Sequence, residues 1–193
     1  MRIDFRRFMA RRRLPRAVSA CAVSLALGLS LAACGHEEGA QREGLAVDLG
    51  GVTYNVYITR QLNPRDAGDR SYVQDRQPPT GQALYGVFLK VCNESKDARP
   101  AAGSFKVVDT EGKEYEPIAL DGDNPVAYRP RRLPAGECIP TTGSLADTSP
   151  TAGALLLFQL PLAATENRPL ELEIERPLGV PEGEDHIAIE LDI

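Results

Sequence analysis

The sequence predicts an all-β fold, an antiparallel β-sandwich, on three observations: short runs that alternate with a period of two, prolines in the intervals between them, and hairpin-type turns. Val52, Tyr54, Val56 and Ile58 alternate with Thr53, Asn55, Tyr57 and Thr59, which makes 52–59 the clearest strand. In 83–92, Tyr85, Val87, Leu89 and Val91 form an apolar row and Gly86, Phe88, Lys90 and Cys92 a mixed one, as in a central strand. Further strands are expected at 104–109, 114–118, 154–160, 170–175 and 187–193. Thr110-Glu111-Gly112-Lys113 separates two of them, with a glycine for the positive φ of a tight reversal. The runs LELEIE and IAIELD put one face in a core and the other in water. Most of the 15 prolines fall between these runs and bar helix continuation, although 162–167 has room for a short helical turn.

A leader precedes this domain. Seven arginines from Arg2 to Arg16, a charge-free run over 17–33 and small residues before Cys34 form the n, h and c regions of an export signal, so 1–33 reads as a signal helix removed on maturation. Leu31-Ala32-Ala33-Cys34 resembles a bacterial lipobox. That resemblance implies a diacylglyceryl group on the Cys34 thiol, cleavage before it and often acylation of the new amine. An uncut signal would also anchor the chain, but 17 residues is the lower limit for a hydrocarbon core of about 30 Å, and the small residues suit a peptidase better. Either anchor leaves the basic side in the cytoplasm. Arg6-Arg7 and Arg11-Arg12-Arg13 keep twin-arginine export open beside the general route. The expected location is the extracytoplasmic face of a bacterial cell membrane. Residues 34–44, rich in glycine and charge, read as a lipidated flexible tether, and 45–193 as one domain.

Loss of the leader leaves 160 residues and takes the net charge from −5 to −11, which argues against a nucleic-acid partner. Arg129, Arg131 and Arg132 are the one basic cluster after the leader and read as a solvated loop. No cofactor and no metal are expected. The two histidines, His36 and His186, lie far apart in sequence, and Asp121-Gly122-Asp123-Asn124 lacks the later ligands of a calcium loop. There is no G-x-S-x-G elbow and no glycine-rich phosphate loop, and Glu171, Glu173 and Glu175 are explained by strand alternation, so no catalytic residue is assigned and an enzyme is not expected.

Cys21 leaves with the leader and Cys34 is the attachment site, so Cys92 and Cys138 remain as an even pair. In an exported protein such a pair is most simply a disulfide. Closing 46 residues would disfavour the unfolded chain by up to about 4 kcal/mol. A redox or metal-binding thiol pair is the alternative, but it lacks a CxxC spacing. Asn93-Glu94-Ser95 is a glycosylation sequon of a kind seldom used in bacteria.

With no tryptophan, six tyrosines are the main aromatic stock for a binding face. Tyr54, Tyr85 and Tyr115 fall on core-facing phases. Tyr57, on the opposite phase, and Tyr72 and Tyr128, in loops, are the candidates for partner contact, with Arg129 beside the last.

Tyr85-Gly86-Val87-Phe88-Leu89-Lys90-Val91-Cys92-Asn93, then the run from Phe105 to Pro117 with its Asp109-Thr110-Glu111-Gly112-Lys113-Glu114-Tyr115 hairpin, then Leu133-Pro134-Ala135-Gly136-Glu137 and a late Phe158 resemble the DUF4352-type domain of secreted bacterial lipoproteins. The resemblance implies an immunoglobulin-like sandwich over 45–193. Its motifs are turns and core positions, and that family is mostly without assigned activity. The chain departs from the pattern in its cysteine pair and in the proline-rich stretch 121–150. The expected function is a membrane-anchored, non-enzymatic interaction module that contacts a protein or another envelope component through a sheet face or proline-rich loops. The alternatives are a structural envelope lipoprotein without a specific ligand, or a metal- or thiol-handling protein.

Overall fold

Alternation governs the folded chain as it governs the sequence. The computed structural model describes residues 40–180 and 183–193. Its strands are β1 (Gln41–Arg42), β2 (Ala46–Leu49), β3 (Val52–Leu62), β4 (Gln82–Asn93), β5 (Arg99–Pro100), β6 (Phe105–Val108), β7 (Glu114–Tyr115), β8 (Arg132–Leu133), β9 (Cys138–Ile139), β10 (Ala154–Pro161), β11 (Leu170–Glu175) and β12 (His186–Leu191). One sheet has the order β10-β4-β3-β2, with β9 also on β4; the second has the order β1-β12-β11-β6-β7; β5 and β8 pair by themselves. Successive hairpins are divided between the two sheets in the Greek-key manner of an immunoglobulin-like sandwich.

The inner faces meet over the rows the alternation marks. Tyr54, Val56, Leu89, Val91, Phe158, Leu172, Ile174 and Ile189 are all buried in one cluster. At about 1.5–3 kcal/mol for each large side chain removed from water, this row supplies most of the drive to fold. On the opposite phase of the second sheet, Glu171, Glu173 and Glu175 face outward, where Lys106 bridges Glu173 at 3.1 Å and Glu114 at 2.7 Å.

The antiparallel sandwich is present as expected, and two finer expectations are corrected. The predicted strand 114–118 divides at Pro117: Glu114–Tyr115 stay in the second sheet, while the Ile118 N–H donates to the Leu157 carbonyl of the first at 2.6 Å. One short parallel pair, β1 beside β12, is added at the edge of the otherwise antiparallel second sheet. The tether is also shorter than its composition suggests. Residues 41–44 belong to the domain, because one Glu43 carboxylate accepts both the Thr59 N–H (2.8 Å) and the Asp192 N–H (3.1 Å), locking the corner between the sheets.

The outer face of the first sheet carries a second apolar layer. Residues 63–79, 118–126 and 144–149 fold back over β4 and β10 and include two single-turn helices, α1 (Arg70–Val73) and α2 (Leu145–Thr148). Tyr72, Val73, Val126 and Ala146 cover Leu62, Leu84, Phe88, Leu155 and Leu157. Burial on both faces accounts for the near-continuous apolar runs of β4 and β10. It also orders the proline-rich stretch. Gly153 permits the close approach that starts β10, since a Cβ there would lie 2.8 Å from the Leu89 nitrogen and 2.9 Å from the Phe88 carbonyl carbon.

Candidate binding surface

The residues expected to contact a partner have different fates. Tyr72 and Tyr128 are buried, which corrects the expectation that loop tyrosines stand free. Tyr72 belongs to the apolar layer laid over the outer face of the first sheet, whereas Tyr128 turns into the core between the two sheets. The Tyr72 ring meets Phe88 edge-on at 5.2 Å, and its hydroxyl lies 3.3 Å from Thr151 Oγ1. Tyr128 packs edge-on against Phe105 and donates its hydroxyl to the Ala102 carbonyl at 2.7 Å. Tyr54 accepts the Ala102 N–H at 2.7 Å, so two buried phenols bracket one residue of the β5–β6 loop. Burial pushes the Tyr54 phenol up from 10.0 to about 12, against the lowering effect of the Ala102 bond and with a small addition from Asp48. Burial, with Tyr54 nearby, raises the Tyr128 phenol further.

Arg129 is exposed, but its guanidinium donates to the carbonyls of Leu120 (3.3 Å) and Asp121. It ties down the segment after Pro117. Of the four candidates, Tyr57 alone is 40% exposed with a side chain that makes no hydrogen bond or ring contact among the described residues. Cys34 lies outside the described residues.

Cys92 and Cys138 form a disulfide between directly opposed residues of β4 and β9, with Cα atoms 4.1 Å apart. Asn93, the next residue, is 1% exposed. Its Nδ2 donates to the carbonyls of Asp97 (2.8 Å) and Leu133 (2.9 Å), and its Oδ1 accepts from Ser95 N and Oγ. The sequon is therefore a structural turn. Arg131 closes the same end, reaching Glu137 at 2.9 Å and the Cys138 carbonyl at 3.0 Å.

A third polar anchor holds α1. Arg60 lies over the rings of Tyr72 (5.6 Å) and Phe88 (5.7 Å) and binds Asp69 at 2.6 Å, while the Asn63 N–H donates to the other Asp69 oxygen at 2.8 Å. Burial alone would raise the Asp69 carboxyl, but the bonds from Arg60 and Asn63 and the Arg60 charge outweigh it and hold the group below the usual carboxylate range.

The second layer stops at β3. Along the outward row of that strand Leu62 is buried, Arg60 is half-buried and Ile58 is 37% exposed. The register slips between Val56 and Ile58, a bulge that takes up Tyr57. Leu45, 53% exposed, precedes edge strand β2 and runs beside Val56, whose carbonyl accepts the Gly44 N–H at 2.8 Å. Three large apolar residues thus stand in solvent along one stretch of sheet edge. Among the described residues two buried side-chain oxygens lack a hydrogen-bond partner, Asn55 Oδ1 and Thr59 Oγ1, and both flank the bulge.

Concave features are shallow. A groove of about 150 Å³ runs between Pro117–Leu120 and Ala127–Pro130, and an open depression of about 540 Å³ lies under the β3–β4 loop beside Asn63, Pro64 and Pro78. Among the described residues no three His, Cys, Asp or Glu side chains are grouped to hold a metal ion, and no helix is long and apolar enough to cross a membrane.

No family model matches the chain, and no curated protein does. Solved structures resemble it in fold. A "putative lipoprotein (ycdA)" from Bacillus subtilis shares 10% identity at a TM-score of 0.50, over 79% of this chain and 39% of its own. The yjhA protein from Bacillus subtilis shares 11% identity over 79% of this chain and 99% of its own, at a TM-score of 0.48. A functionally unknown protein from Listeria monocytogenes EGD-e shares 14% identity over 79% and 83%, also at 0.48. This chain spans about two fifths of the ycdA chain, and the likeness to it is one of fold.

Proposed function

We propose that the protein is a lipid-anchored, extracytoplasmic interaction module of the DUF4352 type, without catalytic activity, that binds a protein segment along the β2–β3 edge. The observation that carries this reading is the uncovered strip itself. A chain that folds two long loops over the outer face of β4 and β10 leaves Leu45, Tyr57 and Ile58 in water one strand further on. An edge strand offers unpaired backbone groups, and apolar side chains beside it supply affinity and register, which is the chemistry of strand addition. Extracytoplasmic placement is supported by the lipobox-like leader and by the Cys92–Cys138 disulfide, a bond that persists in oxidising compartments.

The experiment is site-specific photocrosslinking in the native host, with a photoreactive residue at Tyr57, at Ile58 or, on the opposite sheet, at Glu173. One discrete adduct from positions 57 and 58, absent from 173 and lost on Leu45→Asp, is expected. Equal adducts from all three positions, or none from 57 and 58, would sink the assignment of this edge.

A further inference from the structure

We propose that the end of the sandwich bearing the 176–180 turn rests on the lipid bilayer, with Leu178 seated in its interface. The proposal depends on the reading of Cys34 as the lipid attachment site and adds the face that the domain turns to the membrane.

The direction of β1 is the first support. Gln41 lies opposite Ile189 and Arg42 opposite Glu190 in parallel, so the chain reaches Gln41 from the end at which β12 begins. The β11–β12 hairpin projects from that same end: Glu175 pairs with His186, and the Arg176 N–H donates to the Asp185 carbonyl at 2.9 Å.

Reach is the second. Six peptide steps separate Cys34 from Ala40 and span at most about 20 Å when fully extended. From the level of Ala40 to the Arg176–Asp185 pair is about three residues, roughly 10 Å of strand, and Leu178 lies beyond it. Acyl chains on Cys34 would therefore leave little room between this end and the headgroups.

The third is the turn. Pro177-Leu178-Gly179-Val180 reverses with the Val180 N–H on the Pro177 carbonyl (3.4 Å) and Gly179 at φ 82°, and Leu178 at its tip is 99% exposed. Val180 seats the turn against the β2–β3 connection, where a Cβ on Gly50 would collide with Val180 Cγ1. A solitary exposed leucine is ordinary on a protein surface. One held on a packed turn, at the end from which the chain enters β1, would have the bilayer within reach of an acylated Cys34. Burying it favours the seated orientation by about tenfold, too little to hold a free domain but enough to orient a tethered one.

The chain has no tryptophan, so single-tryptophan variants report without background. Full-length L178W and, at the opposite end, L162W (Leu162 is 43% exposed) are produced in a bacterial host and purified from its membranes. Intact mass confirms the diacylglyceryl group, and each is reconstituted into phosphatidylcholine vesicles with and without brominated acyl chains. Both variants carry the same affinity of indole for interfaces, so a difference between them reports orientation. Blue-shifted, bromine-quenched emission from Trp at 178 with unquenched emission at 162 is expected. Equal quenching at the two sites, or stronger quenching at 162, would overturn the proposal. A mass showing a bare Cys34 thiol would overturn the anchor reading instead; the same variants, coupled through that thiol to a maleimide lipid, then still read the orientation.

Discussion

At the scale of single residues, phase and context proved separable. Tyr54 and Tyr85 lie in the core where their alternation puts them, whereas Tyr72 and Tyr128, in stretches without periodicity, were legible only as loop residues. Nothing local distinguishes a loop in water from one laid over a sheet; the signal was in the strands beneath it. Tyr128→Phe removes the donor to the Ala102 carbonyl and is expected to cost about 1–3 kcal/mol in urea unfolding, while Tyr57→Ser, at an exposed position, is expected within about 0.5 kcal/mol of the parent and to lose the crosslinked partner. The buried phenols also set an alkaline limit. Because Tyr54 is held protonated in the fold, its contribution is fully present below pH 10 and is lost as the pH rises through about 12. Tyrosinate absorbance should therefore rise in part only with unfolding, and Tyr54→Phe should flatten the fall in stability. Asp69 acts in the opposite sense. Its depressed carboxyl gives stability that is present above the unfolded carboxylate value and is lost as the pH falls through the lower folded one, a slope that Asp69→Asn should reduce.

At the scale of elements, the strands were legible wherever one face is wet. Residues 170–175 form β11 with the expected bounds, because a strand between core and water must alternate. The strands β1, β2, β5, β8 and β9 are two to four residues long and carry too little pattern to announce themselves. The second layer had a signal of another kind: Phe88, Leu155 and Leu157 stand on the outward phase of β4 and β10, and apolar residues on both phases mean burial on both faces. The helices α1 and α2 are single turns, fixed by the sheet rather than by their own propensity. What pins this layer is covalent at one end. Cys138→Ser is expected to lower stability by about 3–4 kcal/mol, read as a shifted urea midpoint, and to expose the amides of 134–150 to hydrogen exchange before those of β11 and β12. Gly153→Ala should destabilise the same region, since its methyl group meets backbone rather than a movable side chain.

For the whole molecule, the proposed design is a leader, a short acylated segment and an immunoglobulin-like sandwich whose edge and whose turn at one end would face different partners. A chain cut before Cys34 would carry a net charge of −11, which opposes attraction to anionic lipid, so on the proposed reading apolar contact would hold the domain at a membrane. The measurement that bears most directly on this account is the intact mass of the protein taken from a membrane fraction, alkylated before and after reduction. The expected result is a chain beginning at Cys34 with a diacylglyceryl increment on it, and Cys92 and Cys138 alkylated only after reduction. A chain that retains its leader, with an unmodified Cys34 and free thiols at 92 and 138, would contradict it.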